Sequence, residues 1–207
     1  MTITALHGFL GLPTDFNFLR DEFDLVTPPL DAIPPVGDVL LGYSLGGRLA
    51  LHALLSGARY RKAVIVSAGL GIEGDQARAA RRAADEVWAQ RFEDDPWDEL
   101  LRDWNAQAVF GGHALARDER AYSRAALAHA LRAWSPAALP PVQARLRELD
   151  LPILWITGAR DVKYAAEGER AVALLPQGEL AVIADAGHRV PWEAPQEFRE
   201  RLRAFVE

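Results

Sequence analysis

The chain has 207 residues, enough for one domain with a sizeable core and a modest insertion. Half of them (50%) are hydrophobic, which excludes a disordered chain, and a formal net charge of −6 with no basic tract gives no footprint for nucleic acid. With no cysteine, disulfides, thiol nucleophiles and cysteine-bound metals are excluded, and the five histidines show no metal-ligand spacing.

The first residues, Met1-Thr2-Ile3-Thr4-Ala5-Leu6, carry no basic region and no long apolar segment. Neither a secretory signal nor a membrane span is expected, and a cytoplasmic protein without an evident obligate protein partner is the default. Short apolar runs follow along the chain at 3–6, 23–26, 39–41, 63–66, 153–156 and 180–183. Several are continuous rather than alternating, as strands covered on both faces should be. Helical stretches are predicted between most of them, over 14–22, 45–57, 165–175 and 195–206. Alternating strands and helices predict an α/β fold with a doubly wound, mostly parallel sheet of about six strands. One region breaks the alternation. Residues 73–138 have no strand signal and read as three helices, 76–92, 97–110 and 118–133, punctuated by Pro96, Gly111-Gly112 and Pro136. The expected organisation is therefore a core formed by 1–72 and 139–207, with 73–138 inserted as a helical cap. Ligands of such sheets bind outside the carboxyl ends of the strands, and the chain after Val66 leaves from that end.

The stretch Gly42-Tyr43-Ser44-Leu45-Gly46-Gly47-Arg48 sits between the run 39–41 and the helix 45–57. Strand, G-x-S-x-G, helix is a nucleophile elbow, which holds a serine above a parallel sheet at a helix N-terminus. Its partners should follow in the order acid, then histidine. Asp161 comes just after the run 153–156 and His188 just after 180–183, so Asp161 is the expected acid and His188 the expected base. Asp185 stands only three residues before His188, too close to reach its far ring nitrogen, and is expected to shape the loop by bonds to backbone. The glycine-rich stretch His7-Gly8-Phe9-Leu10-Gly11 follows the first strand. The backbone N–H groups of Phe9 and Leu45 are the expected oxyanion donors, and His7 is expected to shape the loop. This constellation calls for no metal and no cofactor. Arg48 lies one helical turn after Ser44 on a helix expected to be largely buried. Either a carboxylate inside the protein pairs with it, or it faces the pocket and binds an anion.

These residues resemble the α/β-hydrolase superfamily over nearly the whole chain. Within it the chain is similar to the 2-succinyl-6-hydroxy-2,4-cyclohexadiene-1-carboxylate synthases, the pyruvate-eliminating lyases of menaquinone biosynthesis. The likeness rests on 7–11 and 42–48, on Gly69-Leu70-Gly71 followed by Arg78-Ala79-Ala80-Arg81-Arg82, and on Asp103-Trp104 with Gln107 and Phe110. The resemblance implies a Ser44–His188–Asp161 triad used as a base. It also implies a small-molecule substrate bearing carboxylates, bound by Arg48, Arg81 and Arg124, with Trp104 and Tyr43 as aromatic contacts. Two departures stand out. The two strands that usually precede the His7 strand are expected to be missing, and Asn105 stands where a tyrosine is usual. Beside the lyase stand two alternatives: a hydrolase of carboxylic esters or C–C bonds with Ser44 as nucleophile, and a binding protein without activity.

Overall fold

Six strands make one wholly parallel sheet in the computed structural model, which describes residues 1–207. They are β1 (Thr2–Leu6), β2 (Asp24–Val26), β3 (Val36–Tyr43), β4 (Arg59–Val66), β5 (Ile153–Gly158) and β6 (Gly178–Ile183), in the spatial order β2-β1-β3-β4-β5-β6. From β1 the chain first goes outward to β2 and then returns to place β3 on the other side. The order thus reverses at the β1/β3 pair, where Leu6 faces Gly42 in register. At such a switch point the loops beyond the two strands diverge and leave a crevice.

Apolar burial explains the layers. Ile3, Ala5, Val39, Leu41, Val64, Val66, Leu154, Ile156 and Ile183 point to one face and pack with Phe16, Leu19, Phe198, Leu202 and Val206. These last five come from a 3-10 turn, Pro13–Leu19, and from the C-terminal helix. Each fully buried Leu, Ile or Phe contributes about 1.5–3 kcal/mol. The other face is covered by α1 (Leu45–Leu55) and, later in the chain, by α5 (Val162–Val172). Trp155, the largest fully buried side chain, comes within reach of Gly168 on α5.

The chain divides into two compact units, one made of Met1–Leu70 and Val142–Glu207, the other of Gly71–Pro141. The second contains no strand. Its helices are α2 (Asp75–Asp94), α3 (Trp97–Asn105) and α4 (Arg124–Ala133). Phe92 and Leu100 are fully buried within it. The first unit ends with a short helix α6 (Val190–Glu193) and α7 (Pro195–Val206).

Several predicted helices have different ends, each for a local reason. The stretch 14–22 forms the 3-10 turn Pro13–Leu19 and stops at Arg20. The stretch 97–110 stops at Asn105; a separate turn at Ala108–Phe110 closes on left-handed Gly111. The stretch 118–133 breaks into a turn, Glu119–Ala121, and α4, which starts late because Ser123 accepts the N–H of Ala126. The stretch 165–175 begins earlier, at Val162, because Asp161 caps it. The α6 turn and a 3-10 turn at Gln143–Glu148 carry no helical signal in the sequence.

Candidate active site

Ser44 occupies the single residue between β3 and α1, with φ 52° and ψ −109°. Such a conformation costs a non-glycine residue about 1–3 kcal/mol and persists only where its surroundings enforce it. Here they do: the Ser44 N–H donates to the Val66 carbonyl at 2.8 Å, and its carbonyl accepts from the Arg48 N–H at 3.1 Å. Gly46 lets the new helix pass close over β1. A β-carbon there would lie 2.2 Å from the Leu6 carbonyl oxygen and 2.6 Å from that of His7. The other two non-glycine residues with positive φ are Leu10 and Ser67, in the loops after β1 and β4. All three strained residues therefore lie beyond the carboxyl ends of adjacent strands.

The Ser44 side chain does not cap its own helix. Its Oγ lies 3.1 Å from His188 Nε2. His188 Nδ1 lies 2.6 Å from Asp161 Oδ2. His188 is 3% exposed and Asp161 7%, so the pair is shielded from water, where such charge-assisted bonds are strongest. Asp161 also caps α5, its Oδ1 accepting the Tyr164 N–H at 3.3 Å. The capping role and the histidine contact thus use different oxygens of one carboxylate. Gly158 brings the two loops together, since a β-carbon there would meet the carbonyl oxygens of Ala186 and Gly187 at 2.2 and 2.3 Å. Asp185 is exposed and bonds the Arg160 side chain at 3.0 Å, 25 residues away in sequence, rather than nearby backbone.

The loop 7–11 is closed by the Gly11 N–H donating to the Gly8 carbonyl at 3.0 Å, and His7 Nδ1 lies 2.8 Å from the same oxygen. A β-carbon on Gly8 would come within 3.5 Å of Ser44 Cβ, so Phe9 stands one residue beyond a direct neighbour of the serine. Leu45 heads α1, where the first N–H groups have no partner within the helix.

Tyr43, only 6% exposed, packs edge-on to Trp192 at 4.9 Å and lies 5.7 Å from the His188 ring. Burial pushes its phenol well above the usual tyrosine range, so the hydroxyl stays protonated. Arg48 is partly buried one turn along α1 from Ser44. A further turn along, the His52 imidazole is held below its usual range, first by burial and then by the Arg48 charge. The guanidinium therefore belongs to the Ser44–Arg48–His52 stripe of α1.

Arg81, Trp104 and Arg124 belong to the helical unit. Arg81 Nε donates to both carboxylate oxygens of buried Asp85, at 2.8 and 2.9 Å, and Asp85 also accepts the Ser135 hydroxyl at 2.5 Å. Trp104 packs among Trp88, Phe92 and Phe110, with ring centroids 5.0 to 6.1 Å away. The Arg124 guanidinium donates to the carbonyls of Phe92, at 2.8 Å, and Asp95, and lies over the Trp97 ring. Asn105 uses both ends of its amide: Nδ2 donates to the Leu101 and Leu115 carbonyls, and Oδ1 accepts the Leu115 N–H. A tyrosine could not make that set of bonds, which accounts for the asparagine.

One residue beside the site escaped the sequence reading. Glu193 places one carboxylate oxygen 2.8 Å from the Gly187 N–H and the other 2.8 Å from the Arg189 N–H, on either side of His188. The sequence offers only a weak sign of it, an acid five residues after the histidine and just before Pro195.

Comparison with known proteins agrees with this fold. A model of the alpha/beta hydrolase family matches residues 5–201. A 2-succinyl-6-hydroxy-2,4-cyclohexadiene-1-carboxylate synthase of Pectobacterium atrosepticum is 35% identical over 175 residues, 81% of this chain and 67% of the relative. A protein of the same name from Salmonella newport is 36% identical over 163 residues, 75% of this chain and 63% of that relative. The chain thus spans about two thirds, or slightly less, of the curated relatives it matches. MenH from S. aureus has the same fold, with a TM-score of 0.88 over 100% of this chain and 93% of its own, at 22% identity.

Proposed function

The chain belongs to the alpha/beta hydrolase family, and from that premise we propose that it is a carbon–oxygen lyase. It would release pyruvate from a 2-succinyl-5-enolpyruvyl-6-hydroxy-cyclohexene carboxylate, the step that makes 2-succinyl-6-hydroxy-2,4-cyclohexadiene-1-carboxylate. The observation that carries this reading is Arg48. A partly buried cation one helical turn from a histidine-bonded serine suits a substrate that bears carboxylates. Two relatives of about 35% identity that bear the name of that synthase support it.

The steps use groups already described. Neutral His188 takes the Ser44 proton through Nε2, and the Asp161 carboxylate at Nδ1 stabilises the resulting imidazolium. The serine oxygen then removes the proton α to the succinyl ketone. The ketone oxygen becomes an enolate oxygen, held by the N–H groups of Phe9 and Leu45. Electrons return from the enolate into a new ring double bond, the ring double bond already present shifts by one position, and the C–O bond to the enolpyruvyl group breaks. The leaving oxygen departs as enolpyruvate, which takes the proton held by the His188 imidazolium and ketonises to pyruvate, leaving His188 neutral and Ser44 protonated again. Arg48 holds a carboxylate of the substrate through bidentate bonds and so fixes which proton meets the serine. Ser44 thus acts as a relay for a base and forms no acyl-enzyme.

A second reading is favoured by the Ser44–His188 contact itself. A serine 3.1 Å from a histidine nitrogen suits attack on an ester as well as it suits proton removal. Arg48 separates the two readings. Arg48→Ala should lower pyruvate release by about 3 kcal/mol or more in transition-state terms, as breaking a desolvated charge pair does. Hydrolysis of neutral p-nitrophenyl acetate should change little in the same protein. Equal loss of both activities would make Arg48 a structural residue and the protein an ordinary ester hydrolase.

A further inference from the structure

The proposed chemistry explains Ser44, His188 and Asp161 but gives no task to the carboxylate that brackets the histidine. Glu193 is the last residue of α6, and its own N–H donates to the Arg189 carbonyl at 2.9 Å. Its side chain folds back along the turn. Oε2 accepts the Gly187 N–H and Oε1 the Arg189 N–H, both at 2.8 Å. Gly187 and Arg189 are both buried, so these bonds are made away from water and are charge-assisted. A β-carbon at position 187 would lie 3.1 Å from Oε2, so the glycine leaves the carboxylate the room it uses.

We propose that Glu193 is a positioning residue for His188, fixing the backbone on both sides of the histidine so that its ring spans Ser44 and Asp161. The ring has little other freedom. Tyr164 and Tyr43 flank it at 4.6 and 5.7 Å, and Trp192, next to Glu193, packs on Tyr43. The neighbouring loop adds one more tie, the Arg160 N–H to the Ala186 carbonyl at 3.0 Å. With the backbone fixed on both sides and Asp161 at one ring nitrogen, the second nitrogen can only face Ser44. Displacement by about 1 Å within such a constellation costs on the order of 100-fold in rate. The role rests on His188 serving as the base and holds for lyase and hydrolase alike.

The test follows the labelling of Ser44 by a fluorophosphonate probe, which needs an activated serine but neither substrate. Saturating rate (kinact) and half-saturating concentration (KI) are measured for wild type, Glu193→Gln and His188→Ala, per folded protein. Glutamine keeps the size of the side chain but turns one acceptor into an NH2 that faces an N–H. Glu193→Gln should lower kinact about tenfold or more, with KI within about twofold. An unchanged kinact, with His188→Ala inert, would overturn the positioning role and leave the base assignment standing. Fast labelling of His188→Ala would instead overturn the base itself. Amide hydrogen exchange on the wild-type protein provides a check that needs no variant to fold. The Gly187 and Arg189 amides should exchange at least tenfold more slowly than in an open peptide, and open-peptide rates at both would overturn the clamp.

Discussion

The two units use their polar side chains in opposite ways. In the sheet unit, strain and close backbone approach serve a few unlike groups: a serine with φ 52°, a carboxylate with one oxygen for a helix cap and one for His188, and a glutamate on two loop N–H groups. In the helical unit, several arginines tie one element to another, and Arg81 pairs within α2. Arg91 bridges Asp95 and Asp103, Arg132 bridges Glu86 and Glu93, Arg81 holds Asp85, and Arg124 holds two carbonyls. An unpaired buried polar group is costly, and each of the groups just named has its partners within its own unit. What differs is the geometry. The sheet unit gathers its groups around one point, whereas the helical unit spreads them along the seams between helices.

Disruption should therefore register as lost chemistry in the first unit and as lost stability in the second. The largest effect is expected for Ser44→Ala and His188→Ala. Each should lower turnover by about five orders of magnitude or more, and the double variant hardly further, because groups that act as a unit are not additive. Independent, multiplicative losses would break the comparison by showing that the groups act apart. Asp161→Asn comes next. An amide at that position favours the wrong histidine tautomer, and a loss approaching ~10,000-fold is expected with the fold intact. Asp185→Asn, at an exposed surface pair, should leave turnover near wild type.

Smaller effects belong to the helical unit. Asp85→Asn weakens both the Arg81 pair and the Ser135 bond at a buried position and should lower unfolding stability by about 1–3 kcal/mol in denaturant titration. Arg132→Ala removes four exposed bonds and should scarcely move the unfolding midpoint, since long exposed side chains are costly to order and their charges are screened. A marked fall on losing Arg132, with none on losing Asp85, would mean that the seam is held at its surface and not at its buried carboxylate.

The sequence shows these two ways of using polar groups unequally. The sheet was legible because buried parallel strands are continuous apolar runs, and all six runs proved to be strands. The Ser44 elbow was legible because a strained turn leaves glycines at fixed offsets, and Gly46 is needed for the close approach to β1. Helix ends in the second unit were less so. They depend on single caps such as Ser123, and on Asn105 bonding to Leu115 across ten residues, which no periodicity announces. The partners of its arginines were also hidden. A run such as Arg78-Ala79-Ala80-Arg81-Arg82 does not say what each arginine meets, and only the fold shows that Arg81 meets the Asp85 carboxylate and Arg82 the Ala137 carbonyl. Glu193 was only faintly legible for a related reason, since its role depends on a loop that folds back over six residues.

The proposed lyase activity is tested most directly by incubating the wild-type protein with the 2-succinyl-5-enolpyruvyl-6-hydroxy-cyclohexene carboxylate and measuring pyruvate with time, beside Ser44→Ala. The account predicts catalytic pyruvate release, stoichiometric with diene formation, that vanishes in the variant. No pyruvate above the Ser44→Ala background, with rapid turnover of neutral esters by the wild type, would contradict it.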